Sequence, residues 1–162
     1  MTPGESDLVY AGFWQRFGAS FLDALLTYLI IVLLLVAVYG VADFGDSEAY
    51  AGPAGLAISY LLPPFLIMMF WVKKSATPGK MAIAATIVDA KTGGKPSTKQ
   101  FVIRYLGYGL STLPCFLGYL WVVFDSRKQA WHDKLADTVV VRRKAGFSDQ
   151  VRFEKPLGEP GA

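Results

Sequence analysis

The sequence predicts an all-α membrane protein: two transmembrane helices, a third hydrophobic segment folded as a proline-broken helical hairpin, and a small cytoplasmic two-stranded β element. Three observations predict it. Of 162 residues, 53% are hydrophobic and only 18% charged, where soluble domains carry about 25% charged residues. Three apolar stretches reach the length, about 20 residues, that a helix needs to cross a hydrocarbon core of roughly 30 Å. Finally, Pro114 sits in the middle of the third stretch, which lies between two short β-branched runs.

The first apolar segment covers about residues 17–42 and is uncharged from Ala24 to Ala42, so Asp23 lies inside it. It is too long for a signal-peptide core, and its leader carries Glu5 and Asp7 rather than a basic cluster; it is expected to be retained as a helix. The second, about 49–72, has no charge over Ala49–Val72. The third lies within 101–124, with Tyr105–Phe124 uncharged. Between the first two, the loop 43–50 holds three acids and no Lys or Arg, whereas residues 73–104 hold six lysines and Arg104 against Asp89 alone. The positive-inside rule puts that second loop, and the N-terminus with Arg16, in the cytoplasm.

A straight third span would carry Arg127, Lys128, Lys134, Arg142, Arg143 and Lys144 to the outside. A hairpin at Pro114 avoids this, because a mid-helix proline breaks or kinks a helix. It also lets Met81–Asp89 and Thr138–Arg142, both read as strands, pair on one side of the membrane. Arms of about ten residues reach only about 15 Å, so the segment is read as re-entrant; a kinked single span is the alternative. Ser97 or Thr98 is placed to cap a helix starting near Gln100, and Lys91–Pro96 reads as a turn. The organisation is then a leader, 1–7, a membrane domain, 8–143, and a polar tail, 144–162, too poor in apolar residues to fold alone.

Asp23 is the most informative polar residue. An Asp at the centre of a membrane helix costs about 2.5–3.5 kcal/mol, so a partner or a function is expected. Seven residues separate it from Arg16, about two turns, which puts both on one face with room for a third group or a cation between them. The structural alternative is that Asp23 pairs with Arg16 or Arg104 to lock helices together. Asp125, beside Arg127 and Lys128, reads as a local cap or ion pair. His132-Asp133 is a titratable pair with a structural alternative, and Tyr10, Trp14, Trp71 and Trp121 fit an interfacial aromatic belt.

One cysteine and one histidine exclude a disulfide framework, a Cys-based zinc site and a multi-His cluster. The excess of 16 Lys+Arg over 13 Asp+Glu is too small to point to nucleic acid. Lys80 follows Pro78-Gly79, but the phosphate-loop spacing is absent. No nucleophile–base pair or cofactor fingerprint stands out, so no enzyme activity and no cofactor are expected.

The ordered motifs Ala11–Asp23 (AGFWQRFGASFLD), Thr77-Pro78-Gly79-Lys80, Thr86–Asp89, Phe124-Asp125 and Trp131–Val141 (WHDKLADTVVV) resemble the RDD family of bacterial membrane proteins. The resemblance spans about residues 8–143. It implies that Arg16 is the name-giving arginine and that Asp23 and Asp125 are the two aspartates. It also implies a bacterial inner membrane, and suggests transport, with cation/proton exchange as one proposed activity. Where many members carry Gly before the Thr of the last motif, this chain has Asp137. Two functions follow as expectations. In one, Asp23 holds a proton or small cation, tuned by Arg16 or Asp125, in a homo-oligomer that supplies the missing segments. In the other, Arg16, Asp23 and Asp125 form a structural ion network in an accessory protein. Its basic cytoplasmic face then binds a partner membrane protein or anionic lipid.

Overall fold

The structure is a computed structural model that describes residues 8–41 and 51–143; the acidic loop, the leader 1–7 and the tail 144–162 lie outside the described residues. Helix α1, Phe13–Tyr39, begins four residues before Phe17. Gln15 reaches back to accept from the Gly12 N–H at 3.1 Å, satisfying a free donor at the helix start, so Arg16 falls in the first turn. It ends at Gly40, whose φ of +88° suits a residue without a side chain. Helix α2, Pro53–Lys74, opens with proline at its first position, where no N–H is needed. It widens to a π turn over Ala57–Leu61, immediately before Pro63-Pro64. Two successive prolines withhold two donors and crowd the preceding carbonyls, and a widened turn relieves that crowding.

Among the described residues these two are the unbroken helices long and apolar enough to cross a membrane. Along α1 only 6% of the apolar window is buried within the protein; Phe21, Leu25, Leu29 and Leu33 all face outward. A helix apolar all round and uncovered by protein is suited to hydrocarbon.

The third segment does not run straight. Helix α4, Thr98–Thr112, starts at Ser97, whose hydroxyl accepts from the Gln100 N–H at 3.3 Å. It breaks at Pro114, and α5, Leu117–Leu120, continues as a tight turn through Val123. The two arms are bent by 113°, which is short of a full antiparallel hairpin. Cys115 and Phe116 turn the corner with φ of +50° and +62°. Gly118 lets the second arm touch the first, since a Cβ there would lie 2.5 Å from Ser111 Cα.

Between α2 and α4 lie α3, Pro78–Ala82, and strand β2, Ala85–Asp89. The strand expected from Met81 is therefore shorter: Pro78 at a first helical position starts a helical turn instead. After α5 come α6, Trp131–Leu135, and β3, Thr138–Arg143. The expected two-stranded element has three strands, because β1, Leu8–Tyr10, joins it; three residues are too few to show a period. The order is β1-β3-β2, with Asp89 opposite Thr138 and Tyr10 opposite Val141. The central strand is buried on both faces. Ala11, Trp71, Ile87, Phe101 and Val140 share one core, while Ala90, Val139 and Val141 form a smaller one. Trp71 is thus a core residue, 1% exposed, and not part of an interfacial belt.

The sheet constrains the path of the chain. β2 precedes the third segment and β3 follows it, yet they are hydrogen-bonded neighbours. The segment therefore enters and leaves on one side, while α1 and α2 form an out-and-back pair. The core sits at the sheet end of α1 and α2, helices that are bare along most of their length.

Candidate functional site

Asp133 is the hub of the buried charge. It lies in the first turn of α6, completely buried, where Oδ2 accepts from the Ala130 N–H at 3.0 Å. Arg16, from α1, donates Nη1 to the same oxygen. Arg104, from α4, places Nη1 against Oδ1, a charge contact whose alignment leaves Oδ1 without a formal hydrogen bond. Each arginine is held from a second direction. Arg16 donates Nε to Ala11 O at 2.8 Å and Nη2 to Lys128 O at 2.6 Å. Arg104 donates to the Thr138 hydroxyl at 2.7 Å, and its guanidinium lies 5.6 Å from the Trp71 ring centroid. Burial opposes ionisation of Asp133, but Arg104 and Arg16 outweigh it and hold its carboxyl well below the usual range.

Asp23 does not meet either arginine. Its Oδ2 accepts from the Thr77 hydroxyl, and Oδ1 from the Gly79 N–H at 2.6 Å. It therefore caps α3 from outside, satisfying a free donor of that short helix, and pins the 77–80 turn against α1. The approach is so close that a Cβ on Gly79 would fall 2.0 Å from Ala19 O. Only glycine fits this site.

The group near both ends of the Arg16–Asp23 face is Lys80, one residue beyond Gly79. Its ammonium donates to the Thr77 hydroxyl at 3.4 Å and pairs with no carboxylate among the described residues. Burial, then the Arg104 charge, lowers its pKa to about 8, partly offset by Asp23. The Thr77–Lys80 motif was visible in the sequence, but its place in this cluster was not.

Asp125 organises a turn. It accepts from the N–H groups of Arg127 at 3.1 Å and Gln129 at 3.0 Å, and pairs with Lys134. Burial raises its pKa, and Lys134 and the Gln129 N–H more than offset that. The same turn presents the Lys128 carbonyl to Arg16, so Asp125 reaches Arg16 through the backbone. His132 packs edge-on against Tyr108 at 4.3 Å and lies 3.1 Å from the Ser111 hydroxyl. Burial drops its pKa to about 3, against the pull of Asp133. At neutral pH it is uncharged, and its contact with Asp133 at 3.5 Å is not an ion pair. The three acids thus hold three separate joints: Asp133 the helices, Asp23 the 77–80 turn and Asp125 the 125–129 turn.

A match to the RDD family covers residues 10–137. The chain belongs to the RDD family. Among similar proteins, an uncharacterized protein of Rickettsia prowazekii (strain Madrid E) is 42% identical over 45% of this chain and 40% of its own length; the chain thus spans less than half of that relative. The uncharacterized membrane protein YteJ of Bacillus subtilis (strain 168) is 30% identical over 88% of both chains. The uncharacterized protein YxaI of the same organism is 28% identical over 81% of this chain and 96% of its own. No solved structure matches. Asp137 adopts a φ of +49°, a left-handed conformation free to Gly and tolerated by Asp.

Proposed function

We propose that this RDD protein is a non-enzymatic binding module of a bacterial inner membrane, with its sheet and both described chain ends cytoplasmic. Its basic cytoplasmic face then meets an anionic lipid surface, where each juxtamembrane Lys or Arg contributes about 1 kcal/mol. A partner membrane protein is the other ligand such a face would take. The observation that carries this reading is that the acids are already engaged. Asp133 is shared by two arginines, Asp23 by Thr77 and Gly79, and Asp125 by Lys134 and two backbone donors. A small cation needs free oxygen ligands, and the surrounding charge here is mainly positive.

Cation/proton exchange is the second reading, and one observation favours it. Asp23, Thr27 and Thr77 line a cavity of about 480 Å³ between α1 and α2, so oxygen atoms do face a space within the membrane region. Exchange would need a homo-oligomer, because two spans are few for alternating access. Proton flux in liposomes containing the purified protein, with Na⁺, K⁺ or Li⁺ added in turn, separates the two. The binding-module reading expects no cation-dependent flux, and a lower melting temperature for Asp23→Asn. Cation-dependent flux that disappears in a folded Asp23→Asn protein would overturn it and establish the exchanger.

A further inference from the structure

A second cavity, of about 360 Å³, opens between the start of α1 and the bent third segment. Its wall is apolar, with Phe17, Tyr108 and Leu120 among the lining residues, and Arg16, Lys80 and Arg104 line it too. Three cations facing one apolar space is an unusual arrangement, because a buried charge is costly unless it is paired. Asp133 balances the arginines only in part, since one carboxylate serves two guanidinium groups. Arg104 Nε is buried with no hydrogen-bond partner among the described residues. Among the described residues Lys80, 6% exposed, donates only to the Thr77 hydroxyl, at a long 3.4 Å, a neutral acceptor that does not balance its charge. Counting both aspartates, the cluster holds three positive groups and two negative ones, and the carboxylate nearer Lys80 is occupied by other donors.

The mouth of the cavity has a matching character. Phe17, Phe116 and Leu120 are exposed on the two apolar segments that border the cavity, segments suited by composition to a bilayer. An occupant arriving from there would be apolar along its length, and the cations would receive a negative end.

We propose that this cavity binds an anionic amphiphile, a molecule with an acyl chain and a phosphate or carboxylate head, with the head beside Lys80 and Arg104 and the chain along Phe17 and Leu120. This rests on the binding-module reading and narrows it, from a charged face to one site with one ligand chemistry. The anionic head supplies the missing negative charge and an acceptor for Lys80, which is a reason for a lysine to be buried there. Phosphatidylglycerol and a free fatty acid share this chemistry.

The test uses the full-length protein in phosphatidylcholine nanodiscs. Chain-labelled phosphatidylglycerol, phosphatidylcholine or palmitate is added at about one molecule per protein, a small fraction of the nanodisc lipid, and retained probe per protein is read by native mass spectrometry. The expected result is near-stoichiometric retention of phosphatidylglycerol or palmitate and none of phosphatidylcholine; whichever anion is retained identifies the head group. Lys80→Met, which removes the charge, is expected to weaken retention by about tenfold or more, since a hydrogen bond to a charged group is lost. Leu120→Trp, which fills the cavity and leaves the charges alone, should also weaken it, so the proposal stays testable if Lys80→Met does not fold. Lys99→Gln, on the exposed first turn of α4, should retain the probe as the unaltered protein does. Equal loss in Lys99→Gln, or wild-type retention in both Lys80→Met and Leu120→Trp, would overturn the site and leave general attraction to the basic face standing. Cation-dependent proton flux from the same protein would instead overturn the reading on which the site rests.

Discussion

At the scale of single residues, what matters is which partner each charge finds. Arg16 and Asp23 share a face of one helix, and that much is readable from a seven-residue spacing. The counter-charge of Arg16 is 117 residues away, and no local pattern carries that information. The motif Trp131–Val141 did mark Asp133, but as one half of a pair with His132. Its actual role, neutralising two arginines, depends on α1, α4 and α6 meeting. His132 yields a pH prediction of definite sign. Its folded pKa, near 3, is below the ordinary value of 6.5. As pH falls through 6.5 the unfolded chain takes up a proton that the folded chain refuses, so stability is lost between about pH 6.5 and 3. The slope is limited to about 1.4 kcal/mol per pH unit. Denaturation in detergent at stepped pH should show His132→Gln losing that slope above about pH 5, below which Asp133 also begins to contribute. An unchanged slope in the variant would show that another group titrates there.

At the scale of elements, the helices were legible because hydrophobicity and length alone specify a span, and Pro114 marked the break in the third segment. The reading failed where an element is short or is imposed by packing. β1 is three residues long, and α3 takes Met81 and Ala82, the first residues of the expected strand, because Asp23 and Pro78 organise its first turn. Two glycines allow a matched test of that docking. Gly79→Ala drives a methyl into Ala19 O and should cost about 1–3 kcal/mol, the range for overpacking. Gly109, in α4, has open space where its Cβ would be. Gly109→Ala should therefore stabilise by about 0.5–1 kcal/mol through the helix preference of alanine. Thermal unfolding of the two variants reads both signs; Gly79→Ala as stable as the parent would mean that the 77–80 turn is not held against α1.

At the scale of the whole molecule, the decisive feature is a sheet whose strands come from before the first span, between the second and third segments, and after the third. That arrangement predicts that a reporter fused after Arg143 and one placed in the loop 73–77 read out on the same side. A reporter in the acidic loop 43–50 should read out on the other. If the reporter after Arg143 joined the acidic-loop side, the sheet could not exist in the membrane and the third segment would be a plain span.

The position of β3 in the chain has one more implication, and it concerns time. A ribosome delivers residues in order, so α1 and α2 are made long before Thr138–Arg143, the strand that lies between the other two. Until it arrives, β1 and β2 have no neighbour to pair with. Asp133 is delivered only just ahead of it, so Arg16 spends most of synthesis, and Arg104 a shorter interval, without their shared carboxylate. Insertion and closure are therefore separate events, and the second waits for a latch of about a dozen residues. A chain stopped at Ala130 would keep both spans and every apolar segment, yet it would lack the middle of its sheet and the counter-charge at the meeting point of its helices. Quality control at the membrane would then be reading α6 and β3, not the hydrophobic segments that precede them.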